Sequence, residues 1–164
     1  MTVPLHAPGI IVQLNDVEWT TNETVDPPMW PIDKIRWKTL VSEERSGSRD
    51  LLLGIAELDA GEVHVLHDHP DSSEVYYILQ GTARAVMNGR QIEVGPGTAL
   101  FFPPQTKHEI ANIGDQTLTF LWAFNKGTAE LERWDERYTK AEESSLEDRA
   151  VSCGEHTREP GAPE

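Results

Sequence analysis

The sequence predicts an all-β domain, a sandwich or barrel of short antiparallel strands, and three observations carry that prediction. Between Ile35 and Asn125 the chain runs in short apolar or alternating stretches, broken at close intervals by Gly, Pro, Asn and Asp. That is the texture of consecutive strands. No helical periodicity is interleaved with those stretches, which argues against an α/β fold. Met87-Asn88-Gly89-Arg90 joins two of them through an Asn-Gly pair, and the tolerance of both residues for positive φ favours a tight hairpin and antiparallel pairing.

Taken in order, residues 1–34 mix a β-prone piece, Ile10 to Leu14, with turn residues including Asn22, Pro27, Pro28 and Pro31. They read as an N-terminal arm, of a kind that packs on a partner subunit. The barrel domain is expected over 35–126, with strands near 35–41, 51–58, 62–67, 74–79, 82–88, 90–94, 98–102, 107–111 and 117–125. After Gly127 the pattern turns helical: Leu131, Trp134 and Tyr138 share one face while Glu130, Glu132, Asp135 and Lys140 lie elsewhere. One C-terminal helix over 127–142, capping the barrel, is the expectation. Residues 143–164 are acidic, Ser-rich and nearly free of large apolar side chains, so they are expected to form a disordered tail.

Composition narrows the function. The 164 residues suit one domain with a real core. The longest apolar runs, such as Leu51 to Ala56, fall far below the roughly 20 residues of a membrane-spanning helix, so no membrane partner is expected. The first residues, MTVPLHAPGIIVQL, lack the basic leader and long apolar core of a secretory signal, and the expected location is cytoplasmic. Cys153 is the single cysteine, which rules out an intrachain disulfide. With 28 acidic residues against 14 basic ones, the formal charge of −14 repels phosphate backbones, and no nucleic-acid partner is expected. Acidic surfaces also serve solubility alone.

The chemistry concentrates in Gly61 to Gly81. Side chains alternate along a strand, so His67 and His69 point one way while His64 points the other if the strand is regular. Pro70-Asp71-Ser72-Ser73 reads as a turn, after which Glu74 can return antiparallel and bring its carboxylate beside the histidines. A second stretch, Phe101 to Asn112, launches a strand from a Pro-containing turn at His108, and closure of the barrel can bring that imidazole to the same point. Any one of these histidines alone would be read as a packed or solvated side chain; the combination changes that.

Together these residues identify a resemblance. Gly61, His67, His69, Glu74 and Gly81 resemble the first motif of the cupin family at every fixed position, and Gly97, Pro103, His108 and Asn112 resemble the second. One departure stands out: Gln105 occupies a position that is usually glycine. The resemblance spans 61–112 by motif and about 35–125 by strand pattern. It implies a double-stranded β-helix, or jelly-roll, barrel that forms a homodimer and encloses one metal ion held by His67, His69, Glu74 and His108. Three imidazoles and one carboxylate suit a divalent first-row transition metal, Fe, Mn, Ni, Cu or Zn, better than Mg or Ca. Closed tetrahedral zinc would be structural, whereas a six-coordinate ion keeps two positions open.

Tyr76 lies two positions from Glu74 and shares its strand face. A phenol beside a divalent cation has a lowered pKa and can serve as a base; the alternative is an aromatic wall residue. Arg84, with Arg36 and Lys38, falls in an expected strand, and an inward Arg84 could anchor a substrate carboxylate, although cations in strands more often face solvent. Trp37 and Trp122 are expected to line the barrel or an interface. These residues point to a metal-dependent enzyme that moves a proton on a small carbonyl or carboxylate substrate, as a lyase, isomerase or cyclase. Glu74-Val75-Tyr76 resembles the Glu-x-Tyr arrangement of the cupin dimethylsulfoniopropionate lyases, with Glu74 five positions after His69. The same ligand set also serves a non-haem iron dioxygenase cleaving a diketone, hydroxyketone or phenolic ring, or a non-catalytic metal-binding sensor.

Overall fold

A computed structural model describes residues 9–24 and 33–126. The helix expected over 127–142 and the tail over 143–164 lie outside the described residues. Ten strands run in chain order: β1 Thr20–Thr21, β2 Arg36–Val41, β3 Leu52–Leu58, β4 Val63–His67, β5 Glu74–Gln80, β6 Ala83–Met87, β7 Arg90–Val94, β8 Ala99–Phe102, β9 His108–Asn112 and β10 Leu118–Phe124. The nine strands expected from sequence are β2 to β10, each displaced by only a residue or two. Ile10 to Leu14 does not form a strand: the chain turns in a short 3-10 segment at Leu14–Asp16, and the paired segment is β1. One turn of α-helix, Glu43–Ser46, joins β2 to β3, capped by Ser42, whose hydroxyl accepts from the Arg45 N–H at 3.0 Å.

The strands form two antiparallel sheets, one in the order β1-β2-β3-β10-β5-β8 and the other β4-β9-β6-β7. From β3 onward the chain changes sheet at every connection except the β6–β7 hairpin, which is the winding of a jelly roll. In that hairpin Asn88 and Gly89 both take positive φ, 47° and 79°, and Met87 pairs with Arg90, as the Asn-Gly pair predicts. The two inner faces supply one core, in which Leu58, Ile78, Phe120, Ala83, Ala85 and Ile110 are almost fully buried. Trp122 and the strand crossing it are matched by a glycine: a Cβ at Gly54 would lie 2.3 Å from the Trp122 ring and 2.4 Å from the Lys38 carbonyl. Among the described residues no helix is long and apolar enough to cross a membrane.

The repeated change of sheet brings distant segments to one end of the barrel. His67 ends β4 and pairs with His108, which begins β9. Glu74 begins β5 between Phe102, at the end of β8, and Phe124, at the end of β10.

Candidate metal centre

His67, His69, Glu74 and His108 come together at that end, each offering one ligand atom, and those atoms all lie within 4.8 Å of one another. Donors around a common ion with bonds of about 2.1 Å are at most about 4.2 Å apart, so the cluster needs only a small contraction to surround one. His67, Glu74 and His108 are buried, and His69 is the partly exposed member. In one respect the local structure departs from expectation. β4 ends at His67, and His69 sits in the following loop, where the N–H of Gln105 donates to its carbonyl at 2.8 Å. Gln105, the departure from the second motif, has φ 63° and so adopts the left-handed conformation for which glycine is normally used.

Two ring nitrogens are committed to the backbone. His67 Nδ1 donates to the Val65 carbonyl at 2.7 Å and His108 Nδ1 to the Thr106 carbonyl at 2.8 Å. A carbonyl only accepts, so Nδ1 carries a proton in both rings and Nε2 is the nitrogen that faces the cluster, where His108 meets Glu74 and where a metal would bind once Nε2 is free of a proton. Glu74 Oε2 lies 2.8 Å from His108 Nε2 and 3.0 Å from His69 Nε2. Burial raises the cost of charging Glu74, but hydrogen bonds from His108 and His69 outweigh it and hold the carboxyl at about 2. Burial, followed by the neighbouring His108, His64 and His69, holds His67 well below the ordinary imidazole range. A neutral His67 and an ionised Glu74 are the protonation states in which these groups bind a metal.

Comparison with known proteins places the chain in a family. A family model described as "Cupin domain" matches residues 54–124. Over 100 residues the chain is 34% identical to the uncharacterized protein MJ1618 of Methanocaldococcus jannaschii, covering 54% of this chain and 78% of that protein. The chain is a cupin. It is also 31% identical over 107 residues to the dimethylsulfoniopropionate lyase DddW of Ruegeria pomeroyi, covering 65% of this chain and 67% of the relative. The solved structure of a predicted oxalate decarboxylase from Thermotoga maritima superposes with a TM-score of 0.60 at 25% identity, over 71% of this chain and 99% of that one.

In this cupin Tyr76 is fully buried on β5, packed by Phe120 and Phe102 with ring centroids 4.7 and 5.0 Å away and by His108 at 5.9 Å. Burial, then the charges of Glu74 and Asp33, and a hydrogen bond to Glu74 push its phenol well above the usual tyrosine range. The lowering expected from sequence is therefore not produced by these residues themselves. Arg84 does not join the cluster. It alternates on β6 with Ala83 and Ala85, which fill the core, so its guanidinium lies on the opposite face, 3.7 Å from Glu109. Arg36 and Lys38 also face outward: Arg36 is paired with Glu57 and Asp59, and Lys38 donates to the Leu14 carbonyl and lies over the Trp19 ring. Trp37 and Trp122 pack in the core.

Sequence reasoning turned His64 away from the cluster and did not single out Asp33. His64 pairs with Ile110 and His67 with His108, so three steps along β4 match two along β9. That extra residue is a β-bulge, and it puts both histidines on the inner face. Their ring centroids are 4.4 Å apart, and His64 Nδ1 is hydrogen bonded to Asp33 Oδ2. Burial opposes a charge on His64, but the Asp33 carboxylate outweighs it and raises the imidazole above its ordinary value. A short His-x-x-His spacing was the available signal, but bulges are not readable from residue types.

Proposed function

We propose that this cupin is a metal-dependent enzyme that moves a proton on a small carbonyl or carboxylate compound, acting as a lyase, isomerase or cyclase. His67, His69, Glu74 and His108 hold one divalent first-row ion. When bound, that ion supplies a Lewis acid for a substrate oxygen. An ion that keeps open positions, rather than closed tetrahedral zinc, would leave room for a substrate beside these four residues. His69 is the partly exposed ligand, so substrate approaches on its side, past Phe124, whose ring lies 4.7 Å from the imidazole.

The proposal rests on Tyr76: a buried phenol packed by Phe102 and Phe120, two positions from Glu74 on the same face of β5. It holds or moves the proton at its Oη. The 31% identity to a dimethylsulfoniopropionate lyase supports the lyase branch. The test is turnover of metal-loaded protein on a panel of small carboxylates that includes dimethylsulfoniopropionate, beside Tyr76→Phe. The variant is expected to keep its metal and lose about 10²–10⁴-fold in kcat. Equal turnover in both proteins would sink the role of Tyr76. Oxygen consumption by iron-loaded protein would move the reading to a dioxygenase, and inactive tetrahedral zinc protein to a sensor.

The chain is also read as a homodimer. Val75, Tyr77, Leu79 and Phe101 are exposed on the outer face of β5 and β8, and Val75 pairs with Phe101 and Tyr77 with Ala99. These four side chains are uncharged, which suits contact between two copies that each carry −14.

A further inference from the structure

The bulge that turns His64 and His67 to the same face strands a backbone group that needs a partner. That partner comes from outside β4. The N–H of Val65, inside the bulge, donates to Asp33 Oδ2 at 3.2 Å, and His64 Nδ1 meets the same oxygen. Asp33 Oδ1 accepts from the Ile35 N–H at 3.0 Å, and the Asp33 backbone carbonyl accepts from Asn22 Nδ2 at 2.6 Å. The carboxylate is wholly enclosed, with 0% of its side chain exposed. A buried anion is tolerated only when donors surround it, and Val65, Ile35 and His64 supply them.

Val65 is held at both ends. Its N–H is bound by Asp33, and its carbonyl accepts the Nδ1 proton of His67 at 2.7 Å. We infer that Asp33 is a positioning residue for the metal centre: through the Val65 peptide and the His64 ring it sets the rotamer and tautomer of His67. This rests on the reading of His67 as a ligand. A carboxylate is needed at this point because both of its oxygens accept. An asparagine would turn its amide N–H groups toward either Ile35 or the Val65–His64 pair, and the donors there would lose their acceptor. Displacing the Val65 peptide swings the acceptor that orients His67, and a ligand misplaced by a fraction of an ångström weakens the metal. Partners of metal ligands typically contribute about 10–100-fold to affinity.

The experiment is a Co²⁺ titration of the full chain and its Asp33→Asn, Asp33→Glu and His67→Ala variants. Three quantities are read: the dissociation constant, the visible ligand-field spectrum and the paramagnetically shifted Nδ1 proton of His67. His67→Ala should lose most of its affinity; wild-type affinity there would overturn the ligand assignment itself. With that assignment intact, folded Asp33→Asn should bind Co²⁺ about 10–100-fold more weakly, with an altered spectrum and a displaced or lost His67 proton signal. Wild-type affinity and spectrum in Asp33→Asn would refute the positioning role alone. If Asp33→Asn does not fold, Asp33→Glu decides, because it keeps the charge but shifts the oxygens. An altered spectrum supports the role, and a wild-type spectrum with wild-type affinity overturns it.

Discussion

Replacing His108 by alanine separates the metal contribution from the packing contribution at this site. The imidazole is 1% exposed, stacked on Phe102 with centroids 4.1 Å apart, and bonded to the Thr106 carbonyl and to Glu74. His108→Ala leaves a buried carbonyl without its donor, at about 1–3 kcal/mol, and removes a hydrogen bond to a buried carboxylate, at about 1.5–3 kcal/mol. The metal-free variant should therefore be about 2.5–6 kcal/mol less stable. Natural domains are stable by about 5–15 kcal/mol, and one stable by more than about 6 survives that loss. Free metal at about 1,000 times Kd stabilises the wild type by about 4 kcal/mol. A lost ligand costs more than the about 10–100-fold typical of a ligand's partner, so at the same free metal the variant should gain about 1.4 kcal/mol or less. Urea unfolding followed by tryptophan fluorescence, with and without Zn²⁺, measures both increments, and elemental analysis gives occupancy. An equal metal-dependent gain in the two proteins, or full occupancy in His108→Ala, would refute the assignment of His108 as a ligand.

Acid should destabilise the metal-free protein through the same cluster. Glu74 is held at about 2 against an ordinary 4.5, so its stabilisation is present above 4.5 and is lost as the pH falls toward 2, about 3 kcal/mol in all. Below 6.5 His67, held under that value, loses stability because the unfolded chain binds the extra proton, while His64, raised by Asp33 despite burial, gains it. The two oppose each other, so the Glu74 contribution dominates below pH 5. Denaturation at pH 7, 5 and 3.5 should show this fall, and Glu74→Gln should lose the part between pH 5 and 3.5; parallel profiles for the two proteins would contradict it. For the dimer, sedimentation equilibrium should give twice the chain mass of 18.4 kDa for the wild type. Tyr77→Asp combined with Phe101→Asp should sediment as a monomer that still binds metal. A monomeric wild type, or an unchanged variant, would remove this face as the interface.

Much of the fold was legible because its signals are local. Strands β2 to β10 follow from runs of apolar and alternating residues between turn residues, and the β6–β7 turn follows from what Asn88 and Gly89 allow at positive φ. Gln105 shows where a local rule yields to context: its backbone takes the glycine conformation, and its N–H is tied to His69. Strand alternation correctly put Tyr76 beside Glu74, since β5 pairs in even register with β8 at those residues. For β4, alternation failed, because the bulge adds a residue between His64 and His67.

By itself, the sequence determined the all-β character of the domain and the residue types available as ligands, since periodicity, turn chemistry and donor chemistry are properties of neighbouring residues. Only the tertiary structure decided which faces those residues occupy. It turned His64 inward, sent Arg84 outward to Glu109, and brought Asp33 from before β2 against the bulge of β4. The physical reason is that burial and backbone hydrogen-bond satisfaction are settled between strands far apart in the chain, where residue spacing carries no information.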